Sequence, residues 1–163
     1  MQHIQPVHPE NLNKYSAQFS SFGSDYVFSR VTKTDQFAEF TSNTMRLGGV
    51  TMVLCLSGTI DINVNLSSYR LTPNTLIVIG TESVLSVPQV DWDNLDAYVF
   101  VISPEFIRDI NFEINIMTTM SITPNRPPLL NLSDEEVRLM IRYFELIHYN
   151  TVDNTDARYV RSI

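Results

Sequence analysis

Residues 47–79 read LGGVTMVLCLSGTIDINVNLSSYRLTPNTLIVI, and the fold class follows from this stretch. Val50 to Leu56 is nearly all apolar, and Ser57-Gly58 is a turn signal. Ile60, Ile62, Val64 and Leu66 then alternate with Asp61, Asn63 and Asn65, the period of a strand with one buried face. Ser67-Ser68 is the expected second turn, Tyr69 to Leu71 starts back, and Leu76 to Ile79 is a short buried run. Between them, Pro73 fixes φ near −65° and Asn74 tolerates the left-handed region, which predicts a type II or related turn. Three or four antiparallel strands on tight turns predict a small barrel or sandwich.

Upstream, Tyr15, Phe19, Phe22, Tyr26, Phe28, Phe37 and Phe40 supply seven of the seventeen aromatic residues. Tyr26, Phe28 and Arg30 alternate with Val27, Ser29 and Val31, predicting a strand; Phe37 to Thr41 is a second candidate, with Lys33-Thr34-Asp35 as the turn between them. Residues 1–14, with two prolines and little apolar content, are expected to form a flexible arm.

Downstream, Val84 to Val90 is a strand candidate in which Pro88 marks an edge or an end. Asp91 to Asp96 is an acidic turn, with Trp92 partly exposed or packed on a barrel rim. Asp96 to Ile102 places Ala97, Val99 and Val101 on one face and Tyr98, Phe100 and Ile102 on the other, both at least half-buried. The period then changes. Ser103-Pro104-Glu105 combines an N-cap, a proline at the first helical position and an acid in the first turn, predicting a short helix to about Ile110. Residues 111–123 fit neither period. Ser133 with Glu136 is a capping box opening a long helix, with Val137, Met140, Ile141, Phe144 and Ile147 as its core stripe and Leu139, Tyr143, Leu146 and Asn150 as a weaker one. Thr151 to Thr155 is read as a polar turn, and Asp156 to Ile163 as a helix that the chain's end cuts short.

The totals limit the function. The 163 residues suit one domain, or one domain and a short extension, and 44% hydrophobic residues suffice for a core. A net charge of −7 with only 11 Lys and Arg argues against nucleic-acid binding by this chain, because phosphate contacts need a basic surface. No signal peptide and no apolar run of membrane-spanning length is visible, so a cytoplasmic, soluble protein is the expectation. Cys55 is the single cysteine, mid-strand between leucines, and reads as a small buried hydrophobe. His3 and His8 lie in the arm and His148 near a helix end, so no spacing suits a metal and none is expected. The five glycines form no phosphate loop and there is no Gly-x-Ser-x-Gly elbow, so neither catalytic residues nor a cofactor are expected, and the protein is read as not an enzyme.

The order of these features resembles a known family. Val53 to Gly58, Asn65 through Leu71 with Tyr69, Leu76 to Ile79, and the segment Ser103-Pro104-Glu105-Phe106 are similar to the N-terminal cupin-like domain of AraC/XylS-type transcription regulators, over about Met45 to Asn150. Pro73-Asn74 resembles the Pro-x-Gly corner of cupins shifted by one residue, with asparagine where glycine is usual, and the histidines of enzymatic cupins have no counterpart. The resemblance implies a mainly β fold with C-terminal helices: a double-stranded β-helix (jelly-roll) barrel over residues 15–102, then two or three α-helices over residues 103–163 for dimerisation and linkage. It also implies a homodimer, a barrel that either binds a small-molecule effector such as a sugar or small acid or simply shapes the dimer, and DNA contact only through a helix-turn-helix domain outside this chain. A stand-alone metal-free cupin that binds or isomerises a small molecule is the alternative.

Pockets in small barrels are lined by apolar and aromatic side chains with a few polar groups, which nominates Tyr26, Phe28, Arg30, Met52, Leu54, Tyr98 and Phe100 for effector binding. Arg30 on an aromatic strand could hold a carboxylate or phosphate; the bland reading is a strand-edge charge beside core residues. Leu139, Tyr143 and Leu146 are the dimer-interface candidates, against burial under residues 111–123.

Overall fold

In the computed structural model the described residues are 6–7, 20–22, 25–33, 43–109 and 128–153. Eleven strands and two helices are placed among them. The strands are β1 (Pro6–Val7), β2 (Ser20–Phe22), β3 (Tyr26–Thr32), β4 (Met45–Leu47), β5 (Val50–Ser57), β6 (Ile60–Val64), β7 (Ser67–Leu71), β8 (Thr75–Ile79), β9 (Val84–Val90), β10 (Asp96–Ile102) and β11 (Leu129–Asn131); the helices are α1 (Pro104–Asp109) and α2 (Asp134–Asp153). The expected strand at Phe37–Thr41, residues 111–123 and the helix from Asp156 lie outside the described residues.

The sheets run β1-β4-β9-β6-β7 and β11-β8-β5-β10-β3-β2. Counting β3 to β10 as strands one to eight gives orders 2-7-4-5 and 1-8-3-6, the strand order of a jelly roll. The predicted double-stranded β-helix is therefore present. Its central stretch is built differently from a run of hairpins. β5 pairs with β8 and β6 with β7, so Ser57-Gly58 and Pro73-Asn74 carry the chain from one sheet to the other. Within residues 47–79 only β6–β7 is a local hairpin, and its turn is Asn65-Leu66 rather than Ser67-Ser68. Asn65 takes φ 53°, its amide donates to the Val84 carbonyl and its side-chain oxygen accepts from the Val84 amide, which fixes the turn there. Leu66, expected on the buried face, is fully exposed at the tip.

Pro88 lies in the interior of β9. The β6–β9 register steps from Asp61↔Gln89 to Asn63↔Ser86, so Val87 and Pro88 together oppose Ile62 in a bulge. A bulge is one of the few sheet positions that tolerates a residue without an N–H, which explains the difference from the expected edge or end. Within 1–14, Pro6–Val7 pair in parallel with Arg46 and Leu47. β11, which no sequence period announced, pairs with β8 and extends the six-stranded sheet.

The two faces of the six-stranded sheet bury different things. Its inner face supplies Val31, Val53, Cys55, Ile77, Ile79 and Ala97 to a core shared with Leu47, Ile60, Ile62, Val64, Leu71 and Leu85 of the other strands and Leu95 of the turn before β10. Its outer face carries Tyr26, Phe28, Val50, Leu54, Leu76, Val78, Tyr98, Phe100 and Ile102, covered by Phe106 of α1 and Val137 and Phe144 of α2. The opposite sheet turns polar groups outward: Ser68 donates to Asn63 and Asn63 to Ser86 across three strands, and Arg70 chelates Asp61.

Both helices start as their caps predict. The Phe106 amide donates to Ser103 Oγ at 3.1 Å. The Glu136 amide donates to Ser133 Oγ at 3.2 Å and the Ser133 amide returns to Glu136 Oε2 at 2.7 Å, which holds the Glu136 carboxyl below its ordinary pKa. α2 continues through Thr151–Asp153, where a turn was expected, because no Gly or Pro stops it after the cap. Among the described residues no helix is long and apolar enough to cross a membrane.

Candidate functional site: the sheet–helix interface

The seven effector candidates come together, on the outer face of the six-stranded sheet. A period of two puts Tyr26, Phe28 and Arg30 of β3 on the same side as Met52 and Leu54 of β5 and Tyr98 and Phe100 of β10. Register completes the patch, since Arg30 pairs with Tyr98, Phe28 with Phe100, Tyr98 with Leu54 and Phe100 with Met52. They face α1 and α2 and turn away from the inter-sheet core, which is where a barrel-lining pocket would have placed them.

The patch is aromatic and closed. Phe28 stacks on Tyr98 with centroids 5.5 Å apart, and Tyr26 meets Phe100 at 5.4 Å and Phe106 at 5.7 Å. Phe144 descends from α2 onto Phe28, Tyr98 and Phe100, at 5.7, 5.4 and 6.0 Å. Offset and tilted rings at such spacings add to the burial of their area. Tyr26, Phe28, Leu54, Tyr98 and Phe100 are buried and Met52 is half-buried against them. Burial raises the Tyr98 phenol above its ordinary pKa.

Arg30 lies at the solvent-exposed edge of this patch. Its Nε donates to Asp96 Oδ1 at 2.9 Å and its Nη2 to Asp96 Oδ2 at 2.7 Å, while the guanidinium lies 5.4 Å from the Tyr98 ring centroid. The fork-to-carboxylate geometry holds its pKa above the ordinary value. Half of the side chain remains exposed. The sequence raised Arg30 as a carboxylate holder; it missed that β10 already supplies the carboxylate. The alternation at Asp96–Tyr98 beside Arg30 held that signal only once the β3–β10 register was known.

The inter-sheet core holds Cys55 with Thr75 opposite it across the β5–β8 ladder. The thiol is fully buried, its Sγ 3.5 Å from the Ser57 carbonyl oxygen, and desolvation pushes its pKa up to about 11. It stays protonated and unreactive at neutral pH. Among the described residues no three His, Cys, Asp or Glu side chains gather into a metal-binding group. His3 and His8, and the side chains of His148, Ile147 and Asn150, lie outside the described residues.

The dimer candidates sit on the far side of α2. Leu139, Tyr143 and Leu146 are 51%, 52% and 45% exposed, and Tyr149 joins them. α2 thus carries two apolar stripes, one pressed on the sheet and one facing solvent.

No family model matches the chain, and no curated protein matches it. Among solved structures, ToxT from Vibrio cholerae bound to (E)-4-(8-methylnaphthalen-1-yl)but-3-enoic acid is 13% identical, covering 85% of this chain and 53% of its own, at a TM-score of 0.44. Unsaturated fatty acid-bound ToxT is 9% identical over 76% of this chain and 47% of its own, with a TM-score of 0.47. A cupin superfamily protein from Desulfitobacterium hafniense is 10% identical over 48% of this chain and 65% of its own, with a TM-score of 0.37. The chain spans about half the length of ToxT. The jelly-roll assignment rests on this chain's own strand order.

Proposed function

We propose that this chain is the effector-sensing and dimerising domain of an AraC-type transcription regulator, and that it is not an enzyme. The observation that carries the reading is the two-sided helix α2, whose inner stripe covers the aromatic patch while Leu139, Tyr143 and Leu146 stay exposed. A helix that joins an aromatic patch to an apolar outer face suits a domain whose output is pairing. The order of sequence motifs from Met45 to Asn150 supplies the family. In this reading a sugar or small acid is sensed where α2 covers Tyr26, Phe28, Arg30, Met52, Leu54, Tyr98 and Phe100. Two chains pair through α2, and DNA contact belongs to a helix-turn-helix domain outside these residues, in keeping with the net charge of −7.

Two measurements test it. Sedimentation equilibrium of the chain is expected to give a concentration-dependent dimer; a monomer at all concentrations removes the pairing role. A thermal-shift screen of sugars and small carboxylic acids is expected to give a midpoint that rises with concentration. A flat response across both classes removes the sensing role.

A further inference from the structure

Asn74 sits where three parts of the molecule meet. It occupies the second central position of the Thr72–Thr75 turn at φ 66°, where the Thr75 amide donates to the Thr72 carbonyl and Thr75 Oγ1 bonds both Thr72 backbone groups. Its amide donates to the Cys55 carbonyl near the end of β5, 2.9 Å away. Its carbonyl accepts from the Leu132 amide at 2.8 Å, and its Nδ2 donates to Asp134 Oδ1 at 2.7 Å. One residue therefore ties a central barrel strand, the corner between the sheets and the first turn of α2. Glycine would satisfy the backbone here with less strain, but it has no side chain to reach α2.

We infer that Asn74 is a positioning residue that couples the barrel to α2, so that a change in β5 is felt as a change in how the start of α2 is held. β5 carries Met52 and Leu54 of the aromatic patch on one face and Cys55 of the inter-sheet core on the other. The Cys55 carbonyl and the Asp134 carboxylate are bonded to the same short turn, so displacement of either shifts the other's anchor. This is regulation of the surface named in the proposed function, and its link to pairing rests on that reading; the coupling itself does not.

The test is amide hydrogen exchange of residues 132–137 in the full chain. Asn74→Gly preserves the left-handed turn and deletes the side-chain bond; Asp134→Ala deletes the same bond from the exposed helix end, in case the turn variant fails to fold. Each is expected to speed exchange at 132–137 about threefold to tenfold, the range of one lost hydrogen bond, with β6 and β9 unchanged. Asp134→Asn, which keeps an acceptor oxygen and drops the charge, is expected to restore protection. Cys55→Ala loosens the barrel, and its effect on 132–137 is expected to be smaller with Asn74→Gly than in the native background, because only the backbone bonds of position 74 to Cys55 and Leu132 remain. Unchanged exchange at 132–137 in both deletion variants overturns the inference, as does an equal Cys55→Ala effect in both backgrounds. A chain that sediments as a monomer overturns the pairing role alone, because the exchange comparison needs no dimer.

Discussion

Phe144 of α2 stacks on Phe28 of β3 with ring centroids 5.7 Å apart and planes 29° from parallel, and this contact is the centre of the seam that joins helix to barrel. Phe144 also touches Tyr98 and Phe100, so truncating it removes three aromatic contacts and leaves a cavity. Phe144→Ala is expected to cost about 3–5 kcal/mol in urea unfolding. A cost near that of a surface substitution would show that α2 does not dock on the sheet in solution.

The outer stripe of α2 should behave in the opposite way. Leu139→Asp or Leu146→Asp is expected to weaken self-association at least tenfold while changing unfolding free energy by no more than about 0.5 kcal/mol, as for exposed sites without special contacts. Sedimentation and denaturant titration on the same samples separate the two effects.

Arg30 and Asp96 give a paired prediction. With the guanidinium half exposed, the ion pair contributes only about 0–1 kcal/mol, so Arg30→Ala should leave the thermal midpoint nearly unchanged. An acid effector would have to displace Asp96 from the guanidinium fork. Asp96→Ala is therefore expected to strengthen the thermal-shift response to small carboxylic acids, and Arg30→Ala to abolish it. Equal responses in both variants would remove Arg30 from the effector site.

Cys55 predicts an alkaline decline in stability. Its pKa rises by burial from 9.0 to about 11, so between those values the unfolded chain releases a proton that the folded chain keeps. The folded state holds more protons there, and stability falls as pH rises through that window; below it this contribution is complete. The difference in unfolding free energy between the native protein and Cys55→Ala should be constant below that range and change only within it. Alkylation of the native thiol at pH 8 should be as slow as global unfolding.

Gly49 is held by a close backbone approach. A Cβ there would stand 2.5 Å from the Ile102 carbonyl oxygen at the start of the β5–β10 ladder. Gly49→Ala is expected to destabilise by about 1–3 kcal/mol, read from the urea midpoint, through overpacking against an atom that cannot swing away.

The local elements were legible in the residues because their causes are local. The alternation at Ile60–Val64, the Pro73-Asn74 turn, the Ser103 N-cap and the Ser133–Glu136 box each rest on neighbours a few residues apart, and each is found in the molecule. Leu66 and Pro88 were misplaced for a related reason. Asn65 makes its turn through Val84, and Pro88 is tolerated by a bulge opposite Ile62, so both outcomes are set by strands some twenty residues distant.

What the sequence by itself determined is that the chain alternates, turns and caps as a mainly β domain followed by helices. Only the tertiary structure decided that β5 and β6 part company at Ser57-Gly58 and enter different sheets, because pairing partners are chosen by long-range burial. The same assembly decided which face of Tyr26, Phe28, Tyr98 and Phe100 is which. A period of two groups them on one side, but whether that side meets the other sheet or α2 depends on how the two sheets close.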